Sequence, residues 1–208
     1  MIHMQCKLIL VIFSLFTFTA SAMATNDGIT ASFPAFREPL ISIPSLDVPR
    51  YMGTWYEIAK FPNLFQQKCV SDTHAEYAIR EDRSIQVVNR CKLESGEMDE
   101  AIGVAKQLGE GTSSRLKVRF APAWLSFIPA VWGDYWIIDL DEQYQLAAVS
   151  EPERKYLWVL SRTPEVGQPA YQSLLRRLEK KGLDVSKLVI TRHGDASRIP
   201  ESRTTVTE

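Results

Sequence analysis

The predicted architecture of this chain rests on the segment at residues 51–60, Tyr51-Met52-Gly53-Thr54-Trp55-Tyr56-Glu57-Ile58-Ala59-Lys60. It predicts a β-strand, because Trp, Tyr, Ile and Thr favour a pleated, half-buried surface. Gly53 precedes Trp55 closely and allows another backbone or ring to approach. A second strand-like run, residues 157–164, lies toward the other end of the chain and carries Arg162.

Between these two runs the chain contains further segments with β character. They are residues 74–80, 85–91, 98–107, 115–121, 133–140 and 145–150. Together with the two outer runs they make eight antiparallel strands joined by short polar turns. Such a series predicts an up-and-down barrel or a sandwich.

Residues 169–181 are the segment with clear helical periodicity. Their apolar side chains recur at helical spacing and share one face: Tyr171, Leu174, Leu175 and Leu178. Pro169 suits a first helical turn, and Gly182 suits the position just after the last one. Residues 187–191 predict a short ninth strand.

The Gly-x-Trp-Tyr run and the run Tyr-Leu-Trp-Val-Leu-Ser-Arg-Thr-Pro at 156–164 together resemble the lipocalin family. The resemblance covers residues 46–193 and is closest to bacterial lipocalins and their apolipoprotein D-like relatives. It implies an all-β fold, an eight-stranded antiparallel up-and-down β-barrel with one C-terminal helix packed outside and a short ninth strand beside the first. It also implies that Trp55 plugs the closed end, with Arg162 packed across it and Gly53 nearby.

Residues 1–24 have the pattern of a signal peptide. Lys7 supplies a positive start, residues 8–20 are apolar apart from Ser and Thr, and small residues before position 25 offer cleavage sites. The apolar run is too short for an ordinary membrane span. We expect an exported protein, with a buried N-terminal helix as the alternative.

The family resemblance also bears on anchoring and on the remaining segments. Many lipocalins of Gram-negative bacteria carry a Cys for acylation directly after the signal run, whereas Cys6 precedes it here and the next is Cys69. We expect a location in the periplasm or at the outer membrane without a lipid anchor. Residues 25–45 predict an arm or linker before the barrel domain at 46–193, and residues 194–208 predict a disordered tail.

The composition argues against several classes of function. The chain has 24 Lys and Arg against 25 Asp and Glu, so no basic footprint for nucleic acid is visible. Beyond the signal peptide only His74 and His193 remain, and no motif for a nucleophilic serine, a zinc site or a phosphate-binding loop is present. We expect no catalytic residue, no cofactor and no metal. Asp139, Asp141 and Glu142 cluster at a strand end, where a solvated turn is favoured over a metal site.

Strand alternation predicts which side chains point into the barrel. The expected ligand-binding positions are Ala75, Tyr77, Val87, Asn89, Val118, Phe120, Tyr135, Ile137, Tyr156 and Trp158. Large aromatic side chains among small residues leave space for a ligand. Asn89, Glu57 and the tyrosine hydroxyls are the polar groups that we expect to orient it. The resemblance implies a small hydrophobic ligand, a fatty acid or a lysophospholipid. The outward apolar residues Trp136, Ile138 and Val159 need cover from the helix or the arm.

The segment 122–132 is unusually apolar for a loop and contains Trp124, Leu125 and Phe127. Strand order in an up-and-down barrel places it at the open end, beside residues 61–70. Such a loop must bury its surface against something. It either packs on itself as a lid or forms a portal that contacts a membrane or a partner protein. The oligomeric state is not predicted.

Export leaves two cysteines in an oxidising compartment, which predicts a disulfide between Cys69 and Cys91. Straight strands would leave these residues ~13–20 Å apart, whereas a bridge needs Cα atoms ~4.4–6.8 Å apart. We therefore expect the loop before the second strand to fold back over the barrel mouth. Two free thiols are the alternative.

Three functions remain open at this point. A carrier or store of small hydrophobic ligands is favoured, followed by an envelope interaction protein with a filled barrel. The third is a lipocalin-type enzyme that uses a pocket thiol, for which Cys91 is the candidate nucleophile.

Overall fold

The computed structural model describes residues 38–109 and 111–194 of the chain. The predicted signal peptide, the arm up to residue 37 and the tail after Gly194 lie outside the described residues. Within the described part, no helix is long and apolar enough to cross a membrane.

The secondary structure follows the predicted order. The strands are β1 Gly53–Lys60, β2 Cys69–Ile79, β3 Ile85–Leu93, β4 Met98–Gln107, β5 Arg115–Arg119, β6 Gly133–Leu140, β7 Leu146–Ser150, β8 Leu157–Ser161 and β9 Val189–Ile190. The helices are α1 Val48–Tyr51 and α2 Gln168–Lys180. All pairings are antiparallel and run β2-β3-β4-β5-β6-β7-β8-β1-β9, and β1 also pairs with β2. Eight strands therefore close into the predicted barrel, with β9 added beside β1.

The closed end of the barrel is built around Trp55, which is 0% exposed. Its indole nitrogen donates a hydrogen bond of 2.8 Å to the carbonyl of Tyr51. The guanidinium of Arg162 lies 4.1 Å from the centroid of the indole ring, in cation–π geometry. The same guanidinium donates to the backbone carbonyls of Arg50, Thr54 and Tyr144. The predicted pairing of Trp55 with Arg162 is therefore present.

Gly53 fits this end for two reasons. Its φ of +93° lies in the region that side chains avoid. A Cβ at this position would also lie 3.3 Å from a terminal nitrogen of Arg162. The group that comes close to Gly53, as the sequence led us to expect of a backbone or a ring, is the guanidinium of Arg162.

A second core lies outside the barrel, where α2 packs on β6 and β8. Tyr171, Leu174 and Leu178 of α2 are buried against Ile138 and Val159, as predicted for these outward apolar residues. Arg177 adds a bidentate ion pair to Asp139, with N–O distances of 2.8 and 2.9 Å.

That ion pair corrects the expected environment of Asp139, which the sequence analysis placed in a solvated turn at a strand end. A register shift between Ile137 and Asp139 inserts a bulge into β6. Ile137 and Ile138 are consequently both buried, and Asp139 points toward α2 rather than into the barrel.

Residues 38–45 form an arm along the barrel. Leu40 is buried in the outer core. The amide of Ile43 donates a 2.9 Å hydrogen bond to the carbonyl of Ile137, and the hydroxyl of Ser114 donates to the carbonyl of Ile43. These contacts hold the described part of the segment against the barrel.

The disulfide between Cys69 and Cys91 is present, with Cα atoms 5.5 Å apart. The expected loop that folds back over the mouth is wrong. Strand β2 begins at Cys69 rather than at His74, and two register shifts let five steps along β2 match three steps along β3. These bulges shorten β2 enough to bring the two cysteines together.

Candidate functional site

A cavity of about 860 Å³ occupies the barrel and opens at the end opposite Trp55. Nine of the ten predicted pocket residues line it: Ala75, Tyr77, Val87, Asn89, Val118, Phe120, Tyr135, Tyr156 and Trp158. A cavity of this size falls in the range that holds small hydrophobic molecules in proteins.

Ile137 is the predicted pocket residue that does not line the cavity. It is fully buried and packs in the inner core with Trp55, Ala147 and Val149. Alternation placed Ile137 on the correct face, but β6 has already reached the solid part of the barrel at this residue. The floor of the cavity therefore lies closer to the mouth than the sequence indicated.

An aromatic wall forms the upper part of the cavity. The rings of Tyr156 and Trp158 stack with centroids 5.8 Å apart, and Phe65 approaches Tyr156 at 5.4 Å. The indole nitrogen of Trp158 donates a 3.0 Å hydrogen bond to the side-chain oxygen of Gln66. Phe65 and Gln66 were missed, although their loop was placed at the open end. Asn63 caps the 3₁₀ turn Leu64–Gln66 that presents them, which is a recognisable sequence signal.

Glu57 is a buried carboxylate in the cavity wall. It accepts hydrogen bonds from the side chains of Lys60, Gln66 and Thr191. These three bonds tie the wall to the β1–β2 loop and to the residue that follows β9. Because its charge is already balanced by Lys60, Glu57 acts here as a structural link.

Three tyrosines form the floor of the cavity. The hydroxyl of Tyr135 lies 3.0 Å from that of Tyr51 and 3.0 Å from that of Tyr77. The ring of Tyr51 also lies 4.8 Å from that of Trp55, so Tyr51 separates the plug from the cavity. Burial raises the pKa of all three phenols, that of Tyr77 to about 12, so they keep their protons at neutral pH.

Tyr51 was missed because the sequence was interpreted as a strand from this residue onward. In the structure it ends the short helix α1, whose N-cap is Asp47 and whose first turn contains Pro49. An Asp followed closely by Pro is a helix-start signal that could have identified this element.

Exposed apolar side chains surround the mouth. Leu64 and Phe65 of the β1–β2 loop are 78% and 68% exposed, and Trp124 and Phe127 of the β5–β6 loop are 72% and 77% exposed. Leu125 is half-buried. The tips of the β5–β6 loop therefore do not pack on the loop itself as a lid would require.

The base of the β5–β6 loop is fixed more firmly than its tip. The indole nitrogen of Trp132 donates to the carbonyl of Ser126 at 2.8 Å. Lys106 and Arg119 both lie near the Trp132 ring, at 5.6 and 5.2 Å from its centroid. The loop is thus held at Trp132 and presents Trp124 and Phe127 to the surroundings.

The candidate nucleophile and the two histidines each have a partner in the structure. Cys91 is bonded to Cys69 and offers no thiol. His74 and His193 flank the ring of Tyr56, and their recorded hydrogen bonds go to backbone carbonyls. In residues 38–109 and 111–194, no cluster of three or more His, Cys, Asp or Glu could hold a metal ion.

Comparison with known proteins identifies relatives over most of the chain. A family model described as a lipocalin-like domain matches residues 46–193. Temperature-induced lipocalin-1 of Arabidopsis thaliana is 41% identical over 164 residues, which cover 78% of this chain and 86% of that protein. The outer membrane lipoprotein Blc of Escherichia coli K12 is 34% identical over 171 residues, 82% of this chain and 92% of Blc. Mouse apolipoprotein D is 30% identical over 154 residues, 71% of this chain and 77% of that protein.

Solved structures agree on the fold at much lower identity. Insecticyanin from the tobacco hornworm Manduca sexta superposes with a TM-score of 0.60 at 17% identity, covering 79% of this chain and 89% of that one. Lobster apocrustacyanin A1 superposes with a TM-score of 0.55 at 14% identity, covering 71% and 80%. At such identities the match supports the barrel and carries no argument about the ligand.

Proposed function

Because the chain belongs to the lipocalin family, we propose that it binds a fatty acid or a lysophospholipid in the barrel cavity and carries or stores it in the bacterial cell envelope. The observation that carries the proposal is the open cavity of about 860 Å³, with an aromatic upper wall and a deep apolar part. Burying a chain there stabilises the complex by ~0.8 kcal/mol per methylene. About ten buried methylenes give roughly 8 kcal/mol, so micromolar binding is the upper bound from these groups before ordering costs are subtracted.

The two alternative functions fit the geometry less well. An interaction protein with a filled barrel would need side chains where the cavity is open. An enzyme with a pocket thiol would need Cys91 free, whereas it is bonded to Cys69. The proposal is therefore a binding protein without catalysis.

The proposed location rests on residues 1–24, which have the pattern of a signal peptide. The name of Blc as an outer membrane lipoprotein supports an envelope location for this chain as well. The exposed apolar side chains around the mouth support peripheral contact with a membrane, from which a lipid could enter the mouth directly. They are Leu64, Phe65, Trp124 and Phe127.

Two experiments test the proposal. Native mass spectrometry of protein purified without detergent should reveal a bound single-chain lipid. Titration with a fluorescent fatty acid should show at least tenfold weaker binding for Trp158→Arg, because the substitution replaces an apolar ring of the cavity wall with a charged, hydrated group.

The matched control is Ile102→Arg, since Ile102 is exposed and absent from the cavity wall. This control should bind as the wild type does. A folded Trp158→Arg protein with unchanged affinity would place the ligand elsewhere and contradict the proposal.

A further inference from the structure

The hydroxyls of Tyr51, Tyr77 and Tyr135 form a chain with one proton to spare. Three hydroxyls carry three protons, and the two contacts of 3.0 Å use one proton each. In the described part of the chain no other protein group is recorded as a partner of these hydroxyls. Whichever way the bonds run, one O–H is left to donate, and all three tyrosines line the cavity.

The surroundings of this donor are apolar and uncharged. The neighbouring wall is formed by Leu46, Met52, Ile85, Val87, Ala105 and Leu116. The charged lining residues, such as Arg90, Asp99 and Lys155, belong to the open-end half of their strands or to the open-end loops. Arg162 lies behind the floor, where its guanidinium is engaged by Trp55 and backbone carbonyls.

We propose that this tyrosine floor binds an uncharged oxygen, a hydroxyl or a carbonyl, at the end of the ligand that enters the barrel first. The inference rests on the proposed function, because it assumes that the cavity holds a lipid chain. It narrows the ligand class to chains that carry an oxygen at the far end as well as a polar head at the mouth.

The chemistry of the floor selects against a charged group. A carboxylate or phosphate placed there would leave water without a cation in the cavity wall to pair with it, because Arg162 lies behind the floor and does not line the cavity. A hydroxyl or carbonyl oxygen instead accepts from a donor that has no further acceptor among the described protein groups, so it keeps that donor bonded when an apolar chain displaces water from the floor. Because burial raises the pKa of the phenols, the floor stays a donor across the physiological range.

The experiment compares ω-hydroxy fatty acids with unsubstituted fatty acids of the same length, over a series of lengths, by displacement of a fluorescent fatty acid. Without a partner at the floor, the hydroxyl would weaken binding at every length. The wild type should instead favour the ω-hydroxy chain by about tenfold at the length that reaches the tyrosines. A ratio that never exceeds unity at any length would overturn the proposal.

The number of hydroxyl protons left to donate predicts the effect of Tyr→Phe substitutions in the floor. Tyr77→Phe leaves two hydroxyls, one contact and still one spare proton, so the preference should persist. The triple variant Tyr51→Phe, Tyr77→Phe and Tyr135→Phe has no donor, so it should favour the unsubstituted chain. Tyr56→Phe is the matched control and should keep the wild-type ratio, because Tyr56 does not line the cavity and its ring lies beside those of His74 and His193.

The outcomes separate the two proposals. If the wild type binds neither series, the proposed function fails and the inference falls with it. If it binds both series and the ratio is the same in the wild type and the triple variant, the proposed function stands and the tyrosine floor is overturned. The length dependence in the wild type decides the matter even if the triple variant does not fold.

Discussion

The closed and open ends of this barrel differ in how they place large apolar side chains. At the closed end Trp55 is fully buried, and Arg162 covers it while donating to three carbonyls around it. At the open end Trp124 and Phe127 are among the most exposed large apolar side chains of the described chain. Tryptophan thus contributes to stability at one end and is mostly exposed to solvent at the other.

The contrast shows which features a sequence encodes tightly. Close packing at the closed end dictates residue identity, because Gly53, Trp55 and Arg162 each fill a space that another residue would not fit. The open end only requires apolar character, so its residues carry no comparable motif. The following predictions test whether stability really resides at one end and ligand handling at the other.

The largest effect is expected for Trp55→Ala, which should lower the free energy of unfolding by ~3–5 kcal/mol. The substitution leaves a cavity in the inner core and removes the surface that Arg162 covers. Chemical denaturation followed by circular dichroism measures the change. Trp124→Ala is the control from the open end and should stay within ~0.5 kcal/mol. Similar losses for the two variants would contradict the division between the ends.

The second effect concerns the bridge between Cys69 and Cys91 near the mouth. Opening it by the double substitution to Ser should cost about 3 kcal/mol, the value that chain-entropy reasoning gives for a loop of this size. Denaturation with and without reductant measures it, and reductant should not affect the double variant. Thiol titration of the denatured, unreduced mature protein should detect no free thiol. Two free thiols would remove the bridge and return Cys91 to consideration as a nucleophile.

A third comparison uses two arginines with the same geometry. The guanidinium of Arg162 lies 4.1 Å from the Trp55 centroid, and that of Arg50 lies 4.1 Å from the Tyr144 centroid. Arg162 is partly buried, whereas Arg50 is exposed. Arg162→Leu should cost at least ~1–2 kcal/mol and Arg50→Leu about 0.5 kcal/mol, because desolvation strengthens a cation–π contact and Arg162 also donates to three backbone carbonyls. Equal losses in denaturation would show that burial adds nothing at this end.

Much of the fold could be predicted, because two kinds of sequence pattern reflect how side chains pack. These are the alternation of apolar and polar residues along the strands and the two family motifs, the Gly-x-Trp-Tyr run and residues 156–164. The strand positions, the apolar stripe of α2 and the need for cover over Ile138 and Val159 follow from apolar periodicity, whereas the barrel order and the place of the helix follow from the family resemblance. Bulges could not be predicted, since one extra residue changes no local preference. The shifts in β2 bring Cys69 to Cys91, and the shift in β6 turns Asp139 to Arg177.

The sequence could show which side chains of the candidate site point into the barrel, but it could not show how far the cavity extends along the barrel axis. Alternation identified nine lining residues, yet it could not show that the barrel is already solid at Ile137. It also could not show that Tyr51 enters from a helix before the first strand and completes the floor with Tyr77 and Tyr135. Residues contributed by connecting segments, including Phe65 and Gln66, lie outside any strand pattern.

The smallest effect on stability, and the sharpest test of the open end, is expected from replacing Trp124, Leu125 and Phe127 with Ser. Because two of these side chains are mostly exposed and the loop is fixed through Trp132, the free energy of unfolding should change by less than ~0.5 kcal/mol. Liposome co-sedimentation should decrease, and uptake of a fluorescent fatty acid from vesicles should slow. Ile102→Ser, an exposed apolar residue on the outer wall, should change neither readout. If the triple variant kept wild-type liposome binding and uptake, the apolar rim would have no role in membrane contact, and the ligand would have to reach the cavity from solution.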